Sequence, residues 1–131
     1  MSLTTILIKN LRVDTVIGVY EFEKKAPQPL RLELELHLDA RRPARSDALV
    51  DTVDYDAVVA HVREYARRQR CELLERFTHE LAGELLTRFP LKALEITAWK
   101  QVAGLLPAEI AVRVNMDRHA FMEANDDRYE D

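Results

Sequence analysis

The sequence predicts an α+β domain in which a four-stranded antiparallel sheet carries two helices packed on one face, in the order ββααββ. Leucine occupies every second position from residue 30 to residue 38, which is the period of a half-buried strand. Two stretches with apolar residues at helical spacing follow, over 55–66 and 73–89, and two further alternating stretches come after them. Strands that flank a helical pair form a layered α+β domain.

The first strand is predicted between Leu3 and Val16, where apolar and β-branched residues are enriched. Their period of two slips near Asn10, which indicates a bulge or a bend in the strand. Gly18 then permits a turn. The charged segment over 20–29 is expected to form a loop, because two prolines close it.

The second strand, over 30–38, has the clearest pattern. Its five leucines share one face, and the opposite face carries Arg31, Glu33, Glu35 and His37. Leucine and glutamate are good helix formers, but a helix would scatter leucines at this spacing around its circumference. The pattern therefore favours a half-buried strand, which is typical of antiparallel sheets.

The helical pair occupies the middle of the chain. The polar segment over 40–54 is expected to be irregular and to contain residues that favour helix N-termini, Asp51, Thr52 and Asp54. The first helix is predicted from Tyr55, with an apolar stripe that reaches Ala66. After a polar break, the second helix is predicted over 73–89, where a proline ends it.

Two more strands complete the predicted sheet. Alternating apolar residues over 91–98 indicate a third strand that ends near Lys100, and the same pattern over 108–114 indicates a fourth. The connector over 101–107 contains a glycine and a proline, which favour a turn.

One domain is expected over residues 1–118, because a chain of 131 residues is one domain's worth. Residues 119–131 are charged and aperiodic, so they are expected to form a disordered tail. Within that tail, Phe121 and Met122 offer apolar side chains for local docking.

Composition narrows the classes of function. Hydrophobic residues make up 47% and charged residues 32% of the chain, as in an ordinary globular protein. The net charge is −4 and the densest basic run, over 63–70, is interrupted, so a nucleic-acid partner is not expected. No apolar run reaches the ~18 residues that cross a bilayer, so a membrane partner is not expected either. With no recognisable signal peptide and a single cysteine, Cys71, the expected location is the cytoplasm.

A metal site is not expected. The four histidines are far apart in the sequence, at His37, His61, His79 and His119, whereas zinc ligands ordinarily come at short, paired spacings. Cys71 is interpreted as a small buried thiol, since nothing beside it in the sequence marks a nucleophile.

Four motifs resemble those of the dihydroneopterin aldolase family, pterin enzymes with the tunnelling fold or T-fold. They are IGVYEFE over 17–23, DTVDY over 51–55, LLER over 73–76, and Lys100 at the end of the third strand. No single motif is specific, but the set in this order is. The resemblance covers roughly residues 3–118.

The resemblance implies a carbon–carbon lyase of folate and tetrahydrofolate biosynthesis. Such enzymes cleave 7,8-dihydroneopterin by a retro-aldol step into 6-hydroxymethyl-7,8-dihydropterin and glycolaldehyde. They use no cofactor, metal or Schiff base, because the pterin ring itself takes up the electrons. They commonly form homo-octamers of two stacked four-subunit rings with active sites between subunits, so an octamer or a tetramer is expected.

The resemblance also implies how the pterin is bound. Glu75 would anchor the ring, since one carboxylate can accept hydrogen bonds from the exocyclic amine and the adjacent ring N–H. Leu73 and Leu74 would add backbone contacts at the helix start, and Thr52 and Val53 would line the pocket. Taken without the resemblance, Glu75 would only be a carboxylate that favours a helix N-terminus.

Three further residues are implied in the chemistry. Lys100 would transfer protons, although a lysine at a strand end is ordinarily just solvated. Tyr55 would reach the site of a neighbouring subunit and assist the proton transfer. Glu23 would lie near the reacting centre with the lysine.

Two positions depart from the family's usual pattern. Gln101 follows the lysine where many members have proline, and Ala111 replaces a glycine of the last strand. Both flank the connector where the substrate side chain would lie, so dihydroneopterin triphosphate 2′-epimerase remains an alternative. The connector has no Arg or Lys to bind a triphosphate, which favours the aldolase. A second alternative is a pterin-binding or scaffold protein without catalysis.

Overall fold

The structure, a computed structural model, describes residues 3–127. It confirms the predicted α+β class with one antiparallel sheet, in which the strands lie in the order β1-β2-β3-β4. The strands are β1 (Thr4–Thr15), β2 (Gln28–Leu38), β3 (Ala93–Gln101) and β4 (Glu109–Asp117). The helices are α1 (Arg41–Ser46), α2 (Tyr55–Arg68), α3 (Leu74–Arg88) and α4 (Arg118–Asp127).

The core lies between the leucine face of β2 and the helices α2 and α3. All five leucines of that strand are buried. Helix α2 packs over β1, and α3 packs over β3 and β4. The buried side chains of the helices include Val58, Val62, Phe77, Leu81 and Leu85, which repeat at the spacing of one helix face. The half-buried strand pattern therefore predicted the correct face of the sheet.

The helices α2 and α3 run antiparallel to one another. Tyr65 donates its hydroxyl to Glu80 Oε1 at 2.7 Å, and His61 Nε2 lies 2.7 Å from Glu84 Oε1. The earlier residue of α2 therefore pairs with the later residue of α3, as expected of antiparallel helices. No helix within residues 3–127 is both long and apolar enough to cross a bilayer.

The predicted irregularity of β1 is present. Its pairing with β2 shifts register between Ile8 and Leu11, and Asn10 has a φ of 57°. Asparagine tolerates this left-handed conformation better than most residues. The bulge keeps Leu11 and Val13 on the buried face after the slip.

One helix lies in the segment that was expected to be irregular. Helix α1 spans six residues and contains Pro43 in its first turn, where a missing backbone N–H leaves no helical hydrogen bond unmade. Asp47 closes it with a φ of 55°. The next helix begins as expected, since the carboxylate of Asp54 accepts hydrogen bonds from the N–H groups of Asp56 and Ala57.

The expectation of a disordered tail from residue 119 is wrong for residues 119–127, which belong to α4. Phe121 packs against α3 at Gly83, where an added Cβ would lie 3.1 Å from the Phe121 ring. Asp117 accepts a hydrogen bond from the N–H of Ala120 at 3.1 Å. The sequence did not indicate this helix, because its charged residues show no helical periodicity. One aromatic contact and one N-terminal cap stabilise it. Residues 128–131 of the expected tail lie outside the described residues.

Arg118 fastens the start of α4 to the end of α3. Its guanidinium donates hydrogen bonds to the carbonyls of Leu86, Phe89 and Leu91. Leu86 belongs to the last turn of α3, where its carbonyl has no helical partner, and Phe89 is the residue that caps this helix. One side chain therefore satisfies a helix end and orients the next helix.

Phe121→Ala is expected to loosen α4. Its half-buried ring makes the contact with α3, so the free energy of unfolding should fall by about 1–2 kcal/mol, less than the ~3–5 kcal/mol of a fully buried Phe. Chemical denaturation measures this change. The control Met122→Ala, at a side chain 38% exposed on the same helix, should change stability by less than about 0.5 kcal/mol. Equal effects of the two substitutions would contradict the docking role of Phe121.

Candidate active site

A buried ion pair joins the first loop to the end of β3. Lys100 Nζ lies 2.7 Å from Glu23 Oε2, and the two side chains are only 13% and 10% exposed. Lys100 follows Ile96 and Ala98 at every second position, so it shares their inward face of the sheet. It is therefore not the solvated strand-end lysine that residue type alone would suggest.

Glu23 is held from three sides. It lies in a short 3₁₀ turn over 21–24, where the N–H of Tyr20 donates to its Oε1 at 3.3 Å. Gln28 Nε2 lies 3.4 Å from its Oε2. The hydrogen bond from Lys100 lowers the pKa of Glu23 below its usual value. Burial opposes this shift, and the donors of Gln28 and Tyr20 add to it. The carboxylate is thus in its charged form at neutral pH.

Gly18 makes room for this carboxylate. Its φ is 139°, and a Cβ added there would lie 2.3 Å from Glu23 Cδ. Side chains other than glycine's are strained at such a φ. The N–H of Gly18 donates to the carbonyl of Cys71 at 3.4 Å. The glycine therefore connects the Glu23 loop with the segment that leads into α3.

A buried glutamine ties the end of β1 to the same segment. Gln69, 6% exposed, donates from Nε2 to the hydroxyl of Thr15 and to the carbonyl of Val16. Its Oε1 accepts from the N–H of Cys71 at 2.6 Å. The start of α3 is in this way fixed at the same end of the molecule as Glu23 and Lys100.

The residues expected to anchor a ligand lie at this helix start. Glu75 is exposed in the first turn of α3, and its carboxylate has no hydrogen-bond or ion-pair partner within residues 3–127. Leu74 is 7% exposed and packs into the core, whereas Leu73 is 53% exposed. The first-turn N–H groups have no helical acceptor. An exposed carboxylate and N–H groups without a helical acceptor therefore occur together at this helix start.

The remaining predicted residues lie elsewhere in the chain. Because α2 and α3 are antiparallel, the start of α2 is about 20 Å, the length of a 14-residue helix, from the start of α3. Tyr55 at that distant end is 59% exposed, whereas the side chain of Val53 is 2% exposed in the core. Thr52 lies beside it. One chain thus does not bring Thr52, Val53 and Tyr55 to the Glu23–Lys100 pair.

Each of these two regions carries uncovered apolar side chains. Beside the ion pair, the exposed residues are Val19, Tyr20, Phe22 and Leu73. In the region of Tyr55, they are Leu49, which is 65% exposed, and Val50, which is 89% exposed. Apolar surface of this kind often marks a contact with another protein.

Sequence reasoning missed the contributions of Gln28 and Gln69. Glutamine is ordinarily a surface residue, and no local pattern distinguishes one whose amide bridges two segments. Gly18 was expected only to permit a turn. Its close contact with Glu23 depends on how the loop folds back, which the sequence does not display.

Cys71 is partly buried, as expected of a structural thiol. Burial raises the pKa of its thiol, and its Sγ lies 3.8 Å from the hydroxyl of Tyr65. Such a thiol is a weak nucleophile. Among residues 3–127, no three His, Cys, Asp or Glu side chains lie close enough together to hold a metal ion.

This sheet with its helical layer is a T-fold. The model of the family described as dihydroneopterin aldolase matches residues 6–116, and the chain belongs to this family. A dihydroneopterin aldolase of Escherichia coli K12 is 31% identical over 111 residues, which are 85% of this chain and 86% of the relative.

Solved structures agree with this assignment. A Vibrio cholerae protein described provisionally as a dihydroneopterin aldolase has a TM-score of 0.81 and 34% identity, and the match covers 89% of this chain and 99% of that one. The dihydroneopterin aldolase of Escherichia coli, solved in complex with neopterin, has a TM-score of 0.80 and 31% identity. That match covers 86% of this chain and 97% of the other.

Gly18→Ala is expected to break the arrangement around Glu23. The added Cβ collides with Glu23 at a φ unfavourable to alanine, so stability should fall by about 2 kcal/mol or more. Gly104→Ala is the control, because nothing lies within 4 Å of its added Cβ, and its effect should stay within about 0.5 kcal/mol. Urea denaturation of both variants distinguishes these cases. A neutral Gly18→Ala would show that the contact with Glu23 is dispensable.

Proposed function

We propose that the chain is a dihydroneopterin aldolase that cleaves 7,8-dihydroneopterin into 6-hydroxymethyl-7,8-dihydropterin and glycolaldehyde. The observation that carries the proposal is the buried Glu23–Lys100 pair. It lies at the same end of the molecule as the exposed carboxylate of Glu75. In the reaction, the C1′–C2′ bond of the side chain breaks and the 2′-hydroxyl loses its proton to form the aldehyde. The electron pair moves into the pterin ring, and C1′ then gains a proton.

Glu75 anchors the pterin in this proposal. A carboxylate accepts two parallel hydrogen bonds from the adjacent amine and ring N–H of the pterin, which fixes the ring orientation. The free N–H groups of Leu73 and Leu74 add donors for the acceptors of the ring. The Glu75 carboxylate has no hydrogen-bond or ion-pair partner among the described residues, which supports this role, because no contact seen there has to be broken when the pterin binds.

Lys100 and Glu23 transfer protons to and from the substrate in this proposal. The ammonium group of Lys100 has three donors, and Glu23 engages one of them at 2.7 Å. The others are available to the substrate or to a bridging water, so the pair can deliver a proton and take up another during the reaction. The route needs no metal ion and no Schiff base, since the pterin ring accepts the electron pair.

A second subunit completes the site in this proposal. Thr52, Val53 and Tyr55 lie about 20 Å from Glu75 within one chain, by the helix length given above. A head-to-tail ring would bring this segment of one subunit to the Lys100 end of the next. The backbone of Val53 would then meet the ligand, because its side chain lies in the core. The hydroxyl of Tyr55 would assist the proton transfer.

The edges of the sheet support such an assembly. Strands β1 and β4 each lack a neighbour on one side within the described chain, and unpaired edges readily accept strands of another subunit. The exposed apolar side chains beside both halves of the site would be covered in the ring. We propose a homo-octamer, or a tetrameric ring, that works in the cytoplasm.

One observation keeps the triphosphate epimerase as a second candidate. A pocket of about 560 Å³ is lined by Asp39, Asp51 and four basic residues. The basic residues are Arg41, Arg42, Arg45 and Lys92. This pocket adjoins the segment of Thr52, and cations suit phosphate groups. Two of its arginines are already paired with the aspartates, at 2.6 and 3.1 Å, so the unphosphorylated substrate remains the first choice.

The purified protein should release glycolaldehyde from 7,8-dihydroneopterin. Lys100→Ala should keep pterin affinity while turnover falls by about 10²–10⁴-fold, as when a positioned acid–base group is lost. Glu75→Ala should abolish pterin binding in a fluorescence titration. Glu72→Ala is its control, since this nearby carboxylate is already paired with Lys24 at 3.0 Å and should not change affinity.

The outcomes separate the candidate functions. Epimerisation of the triphosphate without cleavage of dihydroneopterin would replace the aldolase with the epimerase. Pterin binding without either reaction would leave a binding or scaffold protein. Unchanged turnover in Lys100→Ala would remove this lysine from the mechanism.

Mixed oligomers test whether neighbouring subunits share a site. Lys100→Ala and Tyr55→Phe subunits, each impaired alone, should regain activity when they are co-expressed, because about a quarter of randomly mixed sites combine both intact residues. Each variant mixed with itself is the control. A lack of recovery in oligomers shown to be mixed by mass spectrometry, or a monomer in sedimentation, would refute the shared site.

A further inference from the structure

Gln28, the first residue of β2, contacts the functional carboxylate directly. Its Nε2 donates to the carbonyl of Ile17 at 2.6 Å and lies 3.4 Å from Glu23 Oε2. That carboxylate oxygen is the same one that binds Lys100 Nζ at 2.7 Å. One amide group therefore touches both the backbone at the end of β1 and the oxygen of the ion pair.

We propose that Gln28 is a positioning residue that holds the Glu23 carboxylate in the orientation required by Lys100. The proposal rests on the proposed aldolase function and adds a residue to it. Gln28 contacts Glu23 rather than Lys100, so it acts on the reaction through its neighbour.

Three neighbours constrain the orientation of the Glu23 carboxylate. Gly18 forms a wall against one side of the carboxylate, and the N–H of Tyr20 bonds to Oε1. Gln28 bonds to the other oxygen while it is itself anchored on Ile17. If that donor were absent, rotation about the last bond of the Glu23 side chain, whose torsional profile is broad, would let the oxygen leave Lys100.

The loss of Gln28 should be detectable in the pKa of Glu23, which depends on the charges and donors around this carboxylate. Lys100 faces it from β3. On its own turn, Lys24 faces Glu72 and Glu21 instead, at 3.0 and 3.8 Å. Donors to a carboxylate favour its charged form, and Gln28 is one of the groups that lower the pKa of Glu23. Loss of this donor should therefore move the titration of Glu23 to higher pH.

Gln69 provides a matched comparison. It clamps the carbonyl of Val16, the residue before the one that Gln28 clamps, with Nε2 to oxygen at 3.0 Å. It makes no hydrogen bond to Glu23. A purely structural role for a glutamine clamp at the end of β1 would affect both variants alike, whereas a positioning role would affect only Gln28.

The test compares Gln28→Met with Gln69→Met in the full-length protein. Gln28→Met should lower kcat for 7,8-dihydroneopterin roughly tenfold, a part of what a positioned acid–base group contributes, with KM nearly unchanged. The acidic limb of its kcat profile should move to higher pH. Gln69→Met should lower the melting temperature but leave the acidic limb in place.

An NMR titration of the Glu23 carboxyl carbon provides a readout that does not depend on activity. The carboxyl of Gln28→Met should titrate at higher pH than in the wild type. Equal titration together with equal kcat would overturn the proposal, as would the same shift in Gln69→Met. If wild-type protein cleaves no dihydroneopterin, the proposed function fails, and the titration still decides the positioning. Should Gln28→Met not fold, Gln28→Asn replaces it, because its shorter amide stays polar but cannot bridge both acceptors.

Discussion

The buried ion pair between Glu23 and Lys100 constrains the whole end of the molecule that carries the candidate site. A buried ion pair is stable only when its geometry is good and its remaining hydrogen-bonding capacity is used. The N–H of Tyr20 and the amide of Gln28 donate to the carboxylate, and Gly18 leaves the space that the carboxylate occupies. Because Gly18 is in turn bonded to Cys71, the pair also fixes the segment from which α3 starts, and with it the position of Glu75.

The antiparallel pairing of α2 and α3 imposes a second constraint. It separates Glu23, Glu75 and Lys100 from the segment of Thr52, Val53 and Tyr55 by the length of a helix. Neither end of the folded domain therefore carries all of the residues that the family resemblance implies. The exposed apolar residues occur at both ends. In the proposed function, the anchor and the proton-handling pair would lie on one side of an interface between subunits, and the pocket-lining segment would lie on the other. Catalysis would then depend on assembly, and the surface that makes the ring would also make the site.

Periodicity predicted most of the fold because burial in a layered domain repeats with the secondary structure. The five leucines of β2 and the stripes of α2 and α3 are such repeats. Helices α1 and α4 escaped prediction for a physical reason. Each is stabilised by a few specific contacts, such as the ring of Phe121 against Gly83, and not by a repeating apolar face. The family resemblance suggested Glu23, Lys100 and Glu75 as site residues, whereas Gln28 and Gln69 left no signal in the sequence.

The sequence alone determined the α+β class, the succession of the four strands along the chain and the two central helices, since these depend on local spacing and on which face is apolar. It also carried the motifs of the family. Only the tertiary structure decided that Lys100 is buried against Glu23, that Gly18 lacks space for a side chain, and that Tyr55 lies far from Glu75. These are relations between segments distant in the chain, and they are set by how the loop over 21–24 folds back and by the direction of two packed helices. No local pattern of residues contains that information.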